Sequence, residues 1–136
     1  MSYLEWEEKF SVNDPVMDQH HRQMFGILNN LHDSVKRGIG PEIVASTLRE
    51  LDSYTKKHFK EEEAFLSSIN YPKLEEHKSY HKQFSALLNQ HMLEVEDGYA
   101  TFVAPKLMND CVTWLHRHIL ETDSEYADFI LNNKLN

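Results

Sequence analysis

Apolar and aromatic positions recur along this chain in alternating steps of three and four residues, the period of one face of an α-helix. The first such series is Met17, His21, Met24, Leu28, Leu31, Val35. It stops before Arg37-Gly38, where glycine can take the left-handed position past a helix end. A second series, Val44, Leu48, Leu51, Thr55, His58, Glu62, Phe65, Ile69, begins behind Pro41, a residue suited to a first helical turn, and ends at Asn70-Tyr71-Pro72. A third runs Leu74, His77, His81, Phe84, Leu88, His91, Val95 and stops at Asp97-Gly98. A fourth starts from about Thr101, has Pro105 in its first turn, and carries Leu107, Cys111, Trp114 and His118. A tail helix over roughly 124–132 offers Tyr126, Phe129 and Ile130. Ahead of the first helix lies a mixed aromatic and acidic arm, expected to be extended, with Trp6 and Phe10 packed on the domain. Asp14 with Pro15, or else Asp18, starts the helix after the arm. Strand-like alternation is absent from the sequence. The pattern predicts one all-α domain over 1–136: an N-terminal arm (1–17), an up-down-up-down antiparallel four-helix bundle (18–122), and a short C-terminal helix within 123–136.

The core faces so defined are not cleanly apolar. His21, His58, Glu62, His77, His81 and His118 all fall on them. Burying that many ionisable groups without partners costs several kcal/mol each. A metal reverses the argument, because it requires deprotonated nitrogen and oxygen ligands. In an antiparallel bundle the starts of helices one and three share a level with the ends of helices two and four. His21 lies near a start, His58 and Glu62 in a last third, His77 and His81 near a start, and His118 near an end, so all six meet at one level. Asp123, five residues past His118, would point away from the cluster on a regular helix. The fourth helix must therefore end or loosen near Glu121-Thr122 for Asp123 to join. Five imidazoles and two carboxylates exceed the needs of one ion, and the economical arrangement is two metals bridged by Glu62 and Asp123. A donor set rich in histidine and poor in carboxylate disfavours oxidised metals, which suits holding O2 over oxidising with it.

Composition narrows the partners. With 14 basic and 22 acidic side chains the net charge is −8, which argues against nucleic acid or an anionic membrane as the main partner. No apolar run reaches the roughly 18–20 residues of a membrane span. No signal peptide is visible, and the single cysteine, Cys111, excludes an internal disulfide, so a cytoplasmic setting is expected. Of the remaining histidines, His20, His32 and His116 read as surface residues. His91 lies on a core face but about 15 Å along the helix from His81, too far to be a ligand.

Several stretches resemble motifs of the hemerythrin family, and of its single-domain bacterial members in particular. They are Asp18-Gln19-His20-His21-Arg22-Gln23-Met24-Phe25, His58-Phe59-Lys60-Glu61-Glu62-Glu63, Tyr71-Pro72 through His77, His81 and Phe84, and Trp114-Leu115-His116-Arg117-His118-Ile119-Leu120-Glu121-Thr122-Asp123. The likeness covers about residues 5–130. It departs at His20, where the family usually has glutamine. The resemblance implies two iron ions with an oxo or hydroxo bridge: one held by His77, His81 and His118, the other by His21 and His58, with Glu62 and Asp123 shared. It implies reversible O2 binding at the two-histidine iron, in a carrier, store or delivery protein and not an enzyme. Met24, Phe25, Phe59, Phe84, Leu115 and Ile119 neighbour the ligands in sequence and are candidates for the wall of a dry O2 pocket. A monomer is expected, with O2 as ligand and an unidentified O2 acceptor protein as a candidate partner. Three other readings compete: a di-iron enzyme reducing peroxide or NO, an O2- or redox-sensing module of a larger chain, and a structural zinc site. The last conflicts with the closed four-donor geometry that structural zinc prefers.

Overall fold

A computed structural model describes residues 4–38 and 41–133. It contains five α-helices: α1 (Pro15–Lys36), α2 (Pro41–Ser68), α3 (Leu74–Glu94), α4 (Ala100–Arg117) and α5 (Ser124–Asn133). The first four form an antiparallel four-helix bundle, in which each packs on the next and α4 closes the ring on α1. No helix among the described residues is long and apolar enough to cross a membrane.

Of the two candidate starts for α1, the structure uses Asp14. Its carboxylate accepts from the Met17 backbone N–H at 2.9 Å, and Pro15 occupies the first turn, where its missing N–H costs nothing. Asp18 instead accepts from Ser11 Oγ (2.7 Å) and the Val12 N–H (2.8 Å), tying the arm to the helix. The bundle rods thus begin at Pro15 and not at residue 18. Gly38 follows α1 at φ 64°, and Asn70 turns the chain after α2 at φ 57°. Asparagine is one of the few non-glycine residues that visit this region readily.

Most of the expected core faces are buried, with Leu28, Leu31, Leu48, Leu51, Phe84, Leu88 and Leu107 fully so. Near the end of α2 the expectation fails by one residue. Phe65 and Ile69 are only half-buried, and Leu66 is the fully buried position. There α2 has left the four-rod core and packs with Tyr71, Tyr126 and Ile130 against α5, a neighbour on a different side. The arm is also less extended than expected. It makes a short 3-10 turn at Glu8–Phe10, which sets Phe10 edge-on to Phe25 at 5.0 Å between centroids.

The third and fourth rods are joined through a wide turn, Val95–Tyr99, broken at Gly98 by a non-helical backbone (φ 91°), so the helix stops at Asp97-Gly98 as the sequence suggests. A second wide turn, His118–Asp123, links α4 to α5 without a break in helical backbone. This π segment, with hydrogen bonds from residue i to i+5, inserts one extra residue per turn.

Loss of the Asp14 cap should be felt by the fold and not by the centre. Asp14→Ala is expected to cost about 1 kcal/mol of unfolding free energy, seen as a lower denaturant midpoint at unchanged slope. An unaltered midpoint would mean that the cap bond contributes nothing.

Candidate metal centre

The seven side chains singled out in the sequence converge at one level of the bundle. His21 comes from α1, His58 and Glu62 from α2, His77 and His81 from α3, and His118 and Asp123 from the two ends of the π turn after α4. All are buried. His58/Glu62 and His77/His81 share a face because four residues make about one α-helical turn. His118 and Asp123 are five apart, and the wide turn brings them to the same side: Nε2 of His118 lies 3.1 Å from Asp123 Oδ1. The helix loosens where the sequence requires it, by widening and not by ending.

The two carboxylates are arranged alike. Glu62 turns Oε1 toward His77 (2.9 Å) and His81 (3.0 Å), and Oε2 toward His21 (3.4 Å) and His58 (3.3 Å). Asp123 turns Oδ1 toward His77 (3.1 Å) and His118 (3.1 Å), and Oδ2 toward His21 (3.3 Å). Each carboxylate therefore presents one oxygen to a three-histidine set and the other to a two-histidine set. Ligand atoms of Glu62, His77, His81 and His118 lie within 4.8 Å of one another, and so do those of His21, His58 and Glu62.

Apart from His77 Nε2 with Glu62 Oε1 (2.9 Å), the short imidazole–carboxylate distances of the cluster are not matched by hydrogen bonds. Nε2 of His21, His81 and His118 and both oxygens of Asp123 are buried without a hydrogen-bond partner. Orphaned polar atoms are costly in a dry interior. Lone pairs that converge without pairing suit cations placed between them, so the donor set fits a pair of metal ions.

Without metal, protons must do the neutralising. Burial alone would pull the imidazolium forms of His21 and His77 down. The Asp123 and Glu62 carboxylates beside them outweigh it and lift His21 to about 9 and His77 to about 10. Burial opposes the charge of Glu62, yet His58, His21 and His77 hold it well below the usual carboxylate range. Asp123 is likewise depressed, with His118 and His21 overcoming burial and the Glu62 charge. Tyr126 from α5 donates to Glu62 Oε2 at 2.9 Å. Burial and the two carboxylates push its phenol far up, so it stays a donor.

Outer partners were largely hidden from sequence reasoning. His20 is not a surface residue: its Nδ1 sits 2.9 Å from His58 Nδ1, and its Nε2 lies 3.2 Å from Glu61. With His58 Nε2 facing the cluster, its Nδ1–H donates to His20 Nδ1, which leaves the His20 Nε2–H for Glu61. On the other side, His81 Nδ1 bonds Glu63 Oε2 at 2.8 Å. The run Glu61-Glu62-Glu63 is thereby divided: the middle residue bridges and each flanker supports one histidine set. Three successive residues about 100° apart on a helix allow this, and the triple glutamate was the signal available. His116 and His32 are half-buried, and His116 sits against Phe10 (5.4 Å). His91 is buried away from the cluster, 3.0 Å from Asp110.

Among the pocket candidates, Phe59 stacks on His81 (3.8 Å, 8°) and Phe84 stands behind it (6.1 Å). Met24 and Leu115 belong to the main core, while Phe25 and Ile119 join Phe10 under the arm.

Residues 13–130 match the family model for the hemerythrin HHE cation binding domain. A bacteriohemerythrin of Clostridium acetobutylicum is 31% identical over 113 residues, covering 81% of this chain and 88% of that one. Bacteriohemerythrins of Campylobacter jejuni (31% over 91 residues, 67% of this chain) and Pseudomonas aeruginosa (27% over 98 residues, 72%) are also similar. The matches span 63% of the length of each of those two relatives. A solved structure of wild-type hemerythrin superposes with a TM-score of 0.83 over 93% of this chain and 97% of that one, at 24% identity, a likeness of fold.

The geometry sets two expected outcomes. The raised values of His21 and His77 stabilise the metal-free protein fully below about pH 6.5, and that contribution fades as pH rises through their folded values. The depressed carboxylates act in the opposite sense and lose their contribution as pH falls below about 4. The melting temperature of chelator-treated protein should therefore decline from pH 6.5 to 10. Divalent-metal affinity should rise over the same range as the two histidines surrender protons. A flat melting profile would contradict the assignment. Second, His20→Leu should weaken divalent-metal binding by roughly 10–100-fold, with His20→Gln retaining most of it because an amide oxygen can accept from His58. Equal affinities in competition titrations would remove His20 from the outer shell.

Proposed function

Because the chain belongs to the hemerythrin family, we propose that its centre holds two iron ions and binds O2 reversibly without transforming it, as an oxygen store or carrier. The observation that carries this reading is the split of both carboxylates, each with one oxygen toward either histidine set. Iron held there supplies the exchangeable electrons and the vacant coordination position that reversible O2 binding needs.

The residues set where that vacancy falls. His77, His81 and His118 give one side three imidazoles, and His21 and His58 give the other two. With one oxygen of each carboxylate added per side, the two-histidine side has one donor fewer and leaves room for an external ligand. Imidazole donors suit iron, and bridging carboxylates suit a pair of ions, whereas a structural zinc site closes on four donors.

Neighbouring side chains keep the centre dry and in shape. Tyr126 holds the orientation of Glu62 through its hydroxyl. The Phe59 ring covers one face of His81, and Phe25 and Ile119 lie buried beneath Phe10 of the arm. In this reading Met24, Phe84 and Leu115 complete an apolar wall that slows proton entry, and with it the oxidation that ends reversible binding. The protein is then a monomer of the cytoplasm, serving storage or delivery to an acceptor protein.

The visible spectrum of iron-loaded, reduced protein, recorded under argon, then air, then argon, tests the reading. A band that appears in air and vanishes under argon over repeated cycles is expected. Irreversible bleaching with peroxide turnover would replace the carrier with an enzyme. Substituting Ile119 or Phe59 by serine should speed autoxidation several-fold, and an unchanged rate in both would remove them from the wall.

A further inference from the structure

Among the described residues, a small opening reaches His77 and two larger ones reach other histidines of the centre. One, between α3 and α4, reaches His118 past Trp114 and is rimmed by Asp110, Arg117 and Glu121, with no dominant sign of charge. The other, of about 360 Å³, lies between α2 and α3. Lys56, Lys60, Lys78 and Lys82 rim it, and Phe59 and His81 lie at its floor. A chain of net charge −8 thus places four of its 14 basic side chains around one opening onto a ligand imidazole.

Local helix energetics do not account for this grouping. Lys56/Lys60 and Lys78/Lys82 are like-charge pairs four residues apart, an arrangement that destabilises a helix slightly. Lys56 pairs with the half-buried Asp52 (2.9 Å) and Lys78 with the exposed Glu75 (3.5 Å), pairs on lysines that face solvent and of small worth. Lys60 and Lys82 form no ion pair among the described residues. Glu63, the acidic group at the opening, is engaged with His81 Nδ1. Each lysine pair spans about 6 Å along its helix, and packed helices lie roughly 8–10 Å apart. That is a positive area matched to a carboxylate-bearing protein surface and too wide for one small anion. At its floor the Phe59 ring lies flat on His81 at 3.8 Å, so a donor seated there is separated from the centre by two stacked rings.

We propose that this opening docks an acidic one-electron carrier protein, which returns electrons to the centre through the Phe59–His81 pair. The proposal rests on the reading that the site holds two iron ions. Each encounter oxidises the carrier by one electron and reduces one ferric ion to ferrous. Two encounters would restore a pair that has autoxidised, with any proton taken up by a bridging oxygen coming from solvent. The lysines steer the approach of the acidic partner.

The test uses the full chain, iron-loaded and oxidised in air, with an acidic two-iron ferredoxin as probe and basic cytochrome c as control carrier. Calorimetry at low salt should detect ferredoxin binding, which a few hundred millimolar salt abolishes by screening. Stopped-flow reduction by reduced ferredoxin should likewise slow with salt. In Lys60→Glu/Lys82→Glu, ferredoxin should bind at least about tenfold more weakly and reduce at least about tenfold more slowly, with cytochrome c changed in the opposite sense. Lys36→Glu, at the far end of α1, should alter neither. No binding at low salt, or equal binding by parent and double variant, would overturn the docking site. Binding without any effect on reduction would overturn the electron route. If O2 binding is reversible and docking fails, this inference alone falls; if docking holds and no reversible band is seen, only the O2 reading falls.

Discussion

Two carboxylates buried side by side dominate the energetics of this molecule. Glu62 and Asp123 both lie at full burial in the middle of a helical bundle, where an unpaired negative charge is strongly unfavourable. Five imidazoles surround them, and in the metal-free state two of these, His21 and His77, are held protonated by the carboxylates beside them. That solution is incomplete, because four imidazole nitrogens and both Asp123 oxygens remain without hydrogen bonds. Divalent cations satisfy the same atoms at once and displace the protons. Folding, pH dependence and metal affinity are therefore linked through one set of lone pairs.

Helix geometry brings those lone pairs together, and the π turn is its most economical device. An α-helical continuation from His118 would rotate Asp123 about 500° in five residues, leaving it far from the starting face. Widening one turn returns it to that face and shifts the register of the helix beyond it. The shift is why α5 packs with Leu66 and Tyr71 and sends Tyr126 back to Glu62. One irregular turn thus supplies both the second buried carboxylate and the donor that fixes the first.

Where sequence reasoning worked, periodicity carried it. Four series spaced by three and four residues located the rods, and polar residues on those series located the side chains that converge at the centre, because an ionisable group on a core face requires an explanation. Asp123 was legible as a misfit: its spacing conflicted with a regular helix, and the conflict pointed to a loosened turn. Periodicity speaks only to faces within one rod, so it missed what rods do to each other. Leu66 replaced Phe65 because α5 changed which side of α2 is buried. His20 lies about 100° from His21 and looked solvent-facing, yet that direction is where α2 lies. The triple glutamate flagged Glu61 and Glu63 without giving their roles, since those depend on histidines contributed by other helices.

The outer partners also break the near-symmetry of the centre. On the three-histidine side His81 is backed directly by a carboxylate, Glu63. On the two-histidine side His58 is backed by a neutral imidazole, His20, with Glu61 one step farther out. A carboxylate accepting from an imidazole N–H raises its basicity more than a neutral nitrogen does, so the two histidine sets differ in donor strength as well as in number. The side with fewer donors is also the side with the weaker charge support, so a metal held there would be the more electron-poor of a pair. Glu62 and Asp123, each facing both histidine sets, would connect two metals so held. On that reading the two carboxylates are more than structural ties, and substituting either one should uncouple the two halves of the centre.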